Sequence, residues 1–227
     1  MRREKVSERM NKMTFLTPLL ICLATTIFAI IKLKGKPLYF RIYSWASVCC
    51  SLSFLSNAVN YICDNFEFGY LTIALISQFG MYYALFSANF SQLDSIVDDR
   101  GGNNRKIRYV SFCVSLLVGI ILLNQFCLWQ KQNILYAVFM TTSLLPIVPA
   151  SYFSIKHLLL PMDEMHFLQG TKLCNLFGLL LYCARISLGY AMIFSKAFLT
   201  VTISNVIAVI MGIIIVSATK GAKRWNF

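Results

Sequence analysis

A chain of 227 residues with 58% hydrophobic and 13% charged side chains and a mean hydropathy of +0.66 lies outside the range of soluble domains, where about half the residues are apolar and about a quarter charged. At about 20 apolar residues per bilayer crossing, this length accommodates seven crossings and leaves almost nothing for an inserted soluble domain. A net charge of +12 on a soluble surface would suggest nucleic acid; on a membrane chain it sets topology, and no nucleic-acid partner is expected.

The chain opens on a basic tail, residues 1–13, with Arg2, Arg3, Lys5, Arg9 and Lys12 against two acidic residues. Followed by an apolar stretch, it mimics a signal peptide. The sequence retains it, so it reads as a tail before a first helix over 14–31. A first helix that does not span the bilayer is the alternative.

After "KLKGKP" a second helix is expected over 40–63, with Cys50, Ser53, Asn57, Asn60 and then Asp64 at helical spacing. Past "CDNFEFG" a third, over 71–93, repeats the pattern with Gln78, Tyr82, Leu85, Asn89 and Gln92. The loop "DDRGGNNRKIR" combines an acidic patch, a flexible turn and a basic entry to a fourth helix over 109–128, which holds Asn124 and Gln125. The fifth, 134–155, contains "LLPIVPA", where Pro146 and Pro149 each remove a backbone donor and kink the helix. The segment "KHLLLPMDEMHFLQGTK" reads as a solvated or interfacial loop carrying both histidines, His157 and His166.

In the sixth helix, 173–195, Asn175, Gly178, Tyr182, Arg185 and Gly189 follow steps of 3, 4, 3 and 4, so one stripe is small or polar. The seventh, 199–218, carries Asn205 and ends in a basic tail, 219–227. It has no lysine within the apolar span, which excludes a retinal Schiff base. The fold class is therefore all-α, a polytopic seven-transmembrane helix bundle forming one domain. Alternating ten-residue barrel strands do not fit such long, evenly apolar runs.

Orientation follows from thirteen basic residues on the odd loops and C-terminal tail (Lys32, Lys34, Lys36, Arg41, Arg100, Arg105, Lys106, Arg108, Lys156, Lys172, Lys220, Lys223 and Arg224) against Lys131 and Lys196 on the even ones. The positive-inside rule then puts the C-terminus in the cytoplasm and the N-terminus outside, against the preference of the N-terminal tail itself. The plasma membrane is the expected location. Of the eight cysteines, those within helices read as small hydrophobes, and Cys63 and Cys127 at outer helix ends are the one pair that this topology allows to bridge.

Arg185 is the residue that needs explaining. An unpaired charge near the bilayer centre costs about 2.5–3.5 kcal/mol on insertion scales, so it requires a partner, a water-filled cavity or a ligand. Arg185 is paired with carbonyls, amides and tyrosine hydroxyls, or it reaches toward Asp64, or it is left to neutralise an anionic ligand, since a guanidinium fork suits carboxylate or phosphate. The intramembrane amides converge on the outer half of the bilayer under this topology. The expected ligand-binding set is Arg185, Tyr82, Gln78, Asn57, Asn60, Tyr182 and Asn205, lining a cavity open to the outside. Amides at helix interfaces also serve as packing glue, the alternative reading for Asn57, Asn60, Gln78 and Asn205.

No HExxH, GxSxG, phosphate-cradling loop or paired intramembrane aspartate is present, so no enzyme, metal or cofactor is expected. The function expected is a non-enzymatic receptor or sensor for a polar or anionic small molecule, in contact with membrane lipids. It signals to a cytoplasmic partner through loops 1, 3 and 5, as no output domain follows "KGAKRWNF". An anion or carboxylate transporter is the alternative, favoured by Asn89, Gln92 and Asn175 continuing the polar stripe inward, though no internal repeat is visible. A lipid-modifying enzyme or scaffold ranks third.

Overall fold

The computed structural model describes the backbone of residues 2–62, 68–90, 105–159 and 168–224, and the side chains of 16–59, 73–90, 105–159 and 170–223. Eight helical segments are present among these residues: α1 (Arg2–Leu33), α2 (Leu38–Ile62), α3 (Phe68–Phe90), α4 (Arg105–Gln130), α5 (Ile134–Leu144), α6 (Ile147–Leu159), α7 (Leu168–Ile193) and α8 (Ala197–Arg224). No strand occurs among them. In hydrocarbon every backbone donor must find its acceptor within the chain, and long apolar helices satisfy that requirement segment by segment.

Six spans are long and apolar enough to cross a membrane, with α5 and α6 together forming one of them, Ile134–Leu159. The protein is thus an all-helical integral membrane protein. Among the described residues α3, which carries Gln78 and Asn89, is not one of the six.

The connections have local causes. Gly35 takes the left-handed conformation (φ 76°) that ends α1, Lys36 N–H closes on the Leu33 carbonyl at 3.2 Å, and Pro37 then opens α2 through its own carbonyl. Asn133 caps α5 by accepting from Tyr136 N–H at 3.1 Å. Between α7 and α8, Lys196 N–H returns to the Ala191 carbonyl at 2.9 Å and Ser195 N–H to that of Met192 at 3.0 Å, a Schellman motif with Ser195 at φ 52°. The stop is earlier than the expected end at 195.

Pro146 and Pro149 break the fifth span rather than merely bending it. The carbonyls they leave without their usual donors are satisfied on the spot, Thr142 by Leu145 N–H at 3.3 Å and Leu145 by Val148 N–H at 3.1 Å. Beyond the break α6 runs on to Leu159, which corrects one expectation: Lys156 and His157 do not lie in a solvated loop but are helical and buried, 4% and 0% exposed. The hydropathy break at these residues conceals a helix whose hydrogen bonding continues. His166 lies outside the described residues.

Packing closes α1, α2, α3, α5–α6, α7 and α8 into a ring, each against the next and α8 back on α1, with α2 also meeting α8. Helix α4 stands outside it against α5, α6 and α7. Tyr43, Tyr82, Phe40, Leu33, Ile147, Leu181, Met211, Ile214 and Ile215 fill the interior. Small residues set the closest approach: a Cβ on Gly170 of α7 would fall 2.7 Å from the Gly221 Cα of α8. Cys22 and Cys50 pack Sγ to Sγ at 3.5 Å between α1 and α2. Cys127 is an exposed free thiol, and its candidate bridging partner Cys63 lies outside the described residues.

Candidate functional site

The stripe on α7 is buried along its whole length: Asn175, Gly178, Tyr182, Arg185 and Gly189 all face the bundle interior. Arg185, only 2% exposed, extends to α3, where Nε (3.2 Å) and Nη2 (2.8 Å) both donate to Gln78 Oε1. Gln78 Nε2 donates in turn to Ser53 Oγ of α2 at 3.2 Å, and Nη2 also lies 3.9 Å from the Met140 sulfur of α5. Four helices therefore meet at one guanidinium. Its Nη1 has no partner among the described residues.

All nine Asp and Glu fall outside the residues whose side chains are described, Asp64 among them. A neutral amide accepts from the guanidinium, one of the pairings expected from sequence, so its positive charge is not neutralised by the contacts among the described residues. Beside Arg185 is a small chamber lined by Leu122, Gln125, Trp129, Met140, Thr141, Leu144 and Gly189, with about 10 Å³ open to the centre of a water molecule. That is room for about one water.

Gln125 of α4 closes one wall. Buried at 2% exposure, it donates to the Ile186 carbonyl at 2.6 Å, lying so close to Gly189 that a Cβ there would be 2.7 Å from Nε2. Gly189 is thus the notch in α7 that admits the Gln125 amide. Gln125, Met140, Thr141 and Ser53 lie outside the ligand-binding set expected from sequence. A lone glutamine in an apolar helix was the visible signal for the first; nothing in the sequence marks Met140 or Thr141.

Towards the N-terminal end of α7 the stripe continues as a second polar cluster. Tyr82 and Tyr182 meet edge to face at 6.1 Å, Tyr182 is hydrogen-bonded to Ser154 of α6, and Asn89 Nδ2 donates to the same serine at 3.3 Å. The Tyr82 hydroxyl, Asn89 Oδ1 and both polar atoms of the Asn175 amide are buried without partners among the described residues. Each such atom costs about 1–3 kcal/mol unless a water or ligand satisfies it.

The structure therefore brings together Arg185, Gln78, Tyr82 and Tyr182. It separates the others. Asn57 is exposed, unlike Cys50 and Ser53 of the same seam, which are buried. Asn205 is half-buried and donates to the Val201 carbonyl of its own helix at 3.1 Å. The Asn60 side chain and Gln92 lie outside the described residues. No protein-family model, curated protein or solved structure matches this chain.

Proposed function

We propose that the protein is a receptor or sensor module of the plasma membrane for a small anionic molecule, with Arg185 as the anchor. The observation that carries this reading is a guanidinium 2% exposed that lines a chamber and whose Nη1 is unpartnered among the described residues. A ligand carboxylate, for which the chamber must widen beyond the one water it has room for here, supplies an acceptor and a negative charge at once, in surroundings where a charge-assisted hydrogen bond is strong. Gln78 and Ser53 hold the fork in place, and movement at the broken α5–α6 span passes the event to a cytoplasmic partner through loops 1, 3 and 5. The reading places α3 as the seventh crossing, the N-terminus outside and the C-terminus in the cytoplasm.

The test is a thermal-shift screen of wild type and Arg185→Gln against small carboxylates and phosphates, since a ligand at a hundredfold excess over Kd adds about 2.7 kcal/mol of stability. A shift in wild type that the variant loses while remaining folded is the expected result. If Arg185→Gln fails to fold, or no anion shifts wild type, the site assignment is wrong.

One observation favours a transporter as the second reading: unpartnered atoms on Tyr82, Asn89 and Asn175 extend the polar stripe along α7 beyond the chamber. Flux of a bound anion into proteoliposomes would decide for it.

A further inference from the structure

The Arg185 chamber shares two of its walls, Leu122 of α4 and Thr141 of α5, with a second and much larger hollow. This is a groove of about 440 Å³ between α4 and the broken span, lined by Phe112, Gly119, Leu123, Leu145 and Val148 among others. Its origin is local. Gly119 contributes no side chain, and a Cβ built there would find only Val148 Cγ1, at 4.0 Å, while Pro146 ends α5 just where α4 passes. The one serine on the wall, Ser115, has donated its hydroxyl to the Val148 carbonyl at 2.8 Å. Phe112, Ile120, Leu123 and Leu145 are exposed at its rim, so it opens sideways on the surface that faces lipid.

An apolar groove facing hydrocarbon gains nothing from a polar solute and is suited to a hydrocarbon chain. The chamber at its inner wall holds the opposite chemistry, a guanidinium nitrogen with no acceptor among the described residues. Leu122 and Thr141 line both hollows, and a ligand that bridges them must displace these two side chains.

Resting on the Arg185 anion reading above, we infer that the ligand is a single-chain amphiphile bearing a carboxylate, a long-chain fatty acid anion, which enters from the bilayer with its tail in the α4/α5–α6 groove and its head on Arg185 Nη1. The carboxylate accepts from a donor that Gln78 leaves free. The tail replaces lipid contacts along α4, so access requires no aqueous mouth.

The test measures thermal protection and Kd for oleate, acetate and oleyl alcohol on the full chain in nanodiscs, using wild type, Arg185→Gln and Gly119→Leu, the last filling the groove floor. Oleate is expected to protect wild type, to lose its effect in Arg185→Gln, and to bind Gly119→Leu about tenfold more weakly, because the added side chain overlaps the volume the tail would fill. Membrane partitioning of oleate is the same for every variant, so only site occupancy changes. Should Gly119→Leu not fold, Leu123→Trp obstructs the same groove from its exposed rim.

Acetate protecting wild type through Arg185 while oleate ignores the groove variants overturns the inference and leaves the anion site standing. Oleyl alcohol protecting Arg185→Gln as well as oleate protects wild type also overturns it, because the chain then binds without its head. If no carboxylate of either length protects wild type, the inference and the anion reading fall together.

Discussion

Gln78 Oε1 accepts from both Nε and Nη2 of Arg185, so a single neutral atom carries most of what the protein offers a buried charge. Gln78→Leu leaves three guanidinium nitrogens without side-chain oxygen partners and is expected to cost about 1.5–3 kcal/mol, the range for hydrogen bonds to charged groups. Reversible unfolding in mixed micelles reads this directly. In an Arg185→Gln background the same substitution should cost much less, because two neutral amides leave no charge stranded. Ser53→Ala, which removes only the bond to Gln78 Nε2, is expected near the ~0.6 kcal/mol average of interhelical bonds in membranes. Gly189 sets a different constraint at the same site. Gly189→Ala puts a methyl 2.7 Å from Gln125 Nε2 and displaces the bond to Ile186, so it should destabilise by about 1 kcal/mol; with Gln125→Ala already in place it should cost almost nothing.

Between elements, the sharpest contrast is Gly170. There the Cβ would meet backbone, Gly221 Cα at 2.7 Å and N at 2.8 Å, which unlike the Gln125 amide cannot swing aside. Gly170→Ala must push α7 away from α8, and overpacking of this kind costs about 1–3 kcal/mol, checked by the same unfolding assay. The α7–α8 turn offers the reverse. Ser195 occupies the left-handed position of a Schellman motif at φ 52°, where an L-residue carries a penalty of about 1–2 kcal/mol that glycine avoids. Ser195→Gly is therefore expected to raise stability by up to about 1 kcal/mol and Ser195→Val to lower it, unless loss of chain entropy outweighs the relief. The α7 stripe was legible in the sequence because 3- and 4-residue spacing is a property of one helix alone. Which neighbour each polar residue meets was not. Asn57 is exposed and Asn205 bonds Val201 of its own helix, because the direction of a face gains meaning only when another helix stands opposite.

For the molecule as a whole, the proposed seven crossings predict labelling patterns. Single cysteines placed at positions 36, 103 and 223, in a background lacking the exposed native thiols, should react with an impermeant maleimide only after the membrane is opened. One at 131 should react in intact cells. Exposure of 103 to the outside would reverse the orientation, and labelling of 36 and 131 from the same side would remove the third crossing. The ring of helices with α4 standing outside it gives this pattern a structural consequence. The chamber at Arg185 and the groove beside it both lie along the seam where α4 joins the ring, so substitutions on α4 should alter ligand response more than equally conservative ones on α1, whose partners are α2 and α8.

The sequence by itself determined that the chain is helical and embedded in a membrane, where its apolar spans run, and that one arginine lies on a small, polar stripe, because composition and helical periodicity are local quantities. It also exposed the two prolines, though not that their carbonyls would be satisfied within the turn. Only the tertiary structure decided that Gln78 receives Arg185, that His157 and Lys156 are buried, and that a glycine notch admits Gln125 from a helix outside the ring. Each depends on which faces of helices far apart in sequence come into contact, and that is fixed by the fit of side chains across the whole bundle rather than by any one segment.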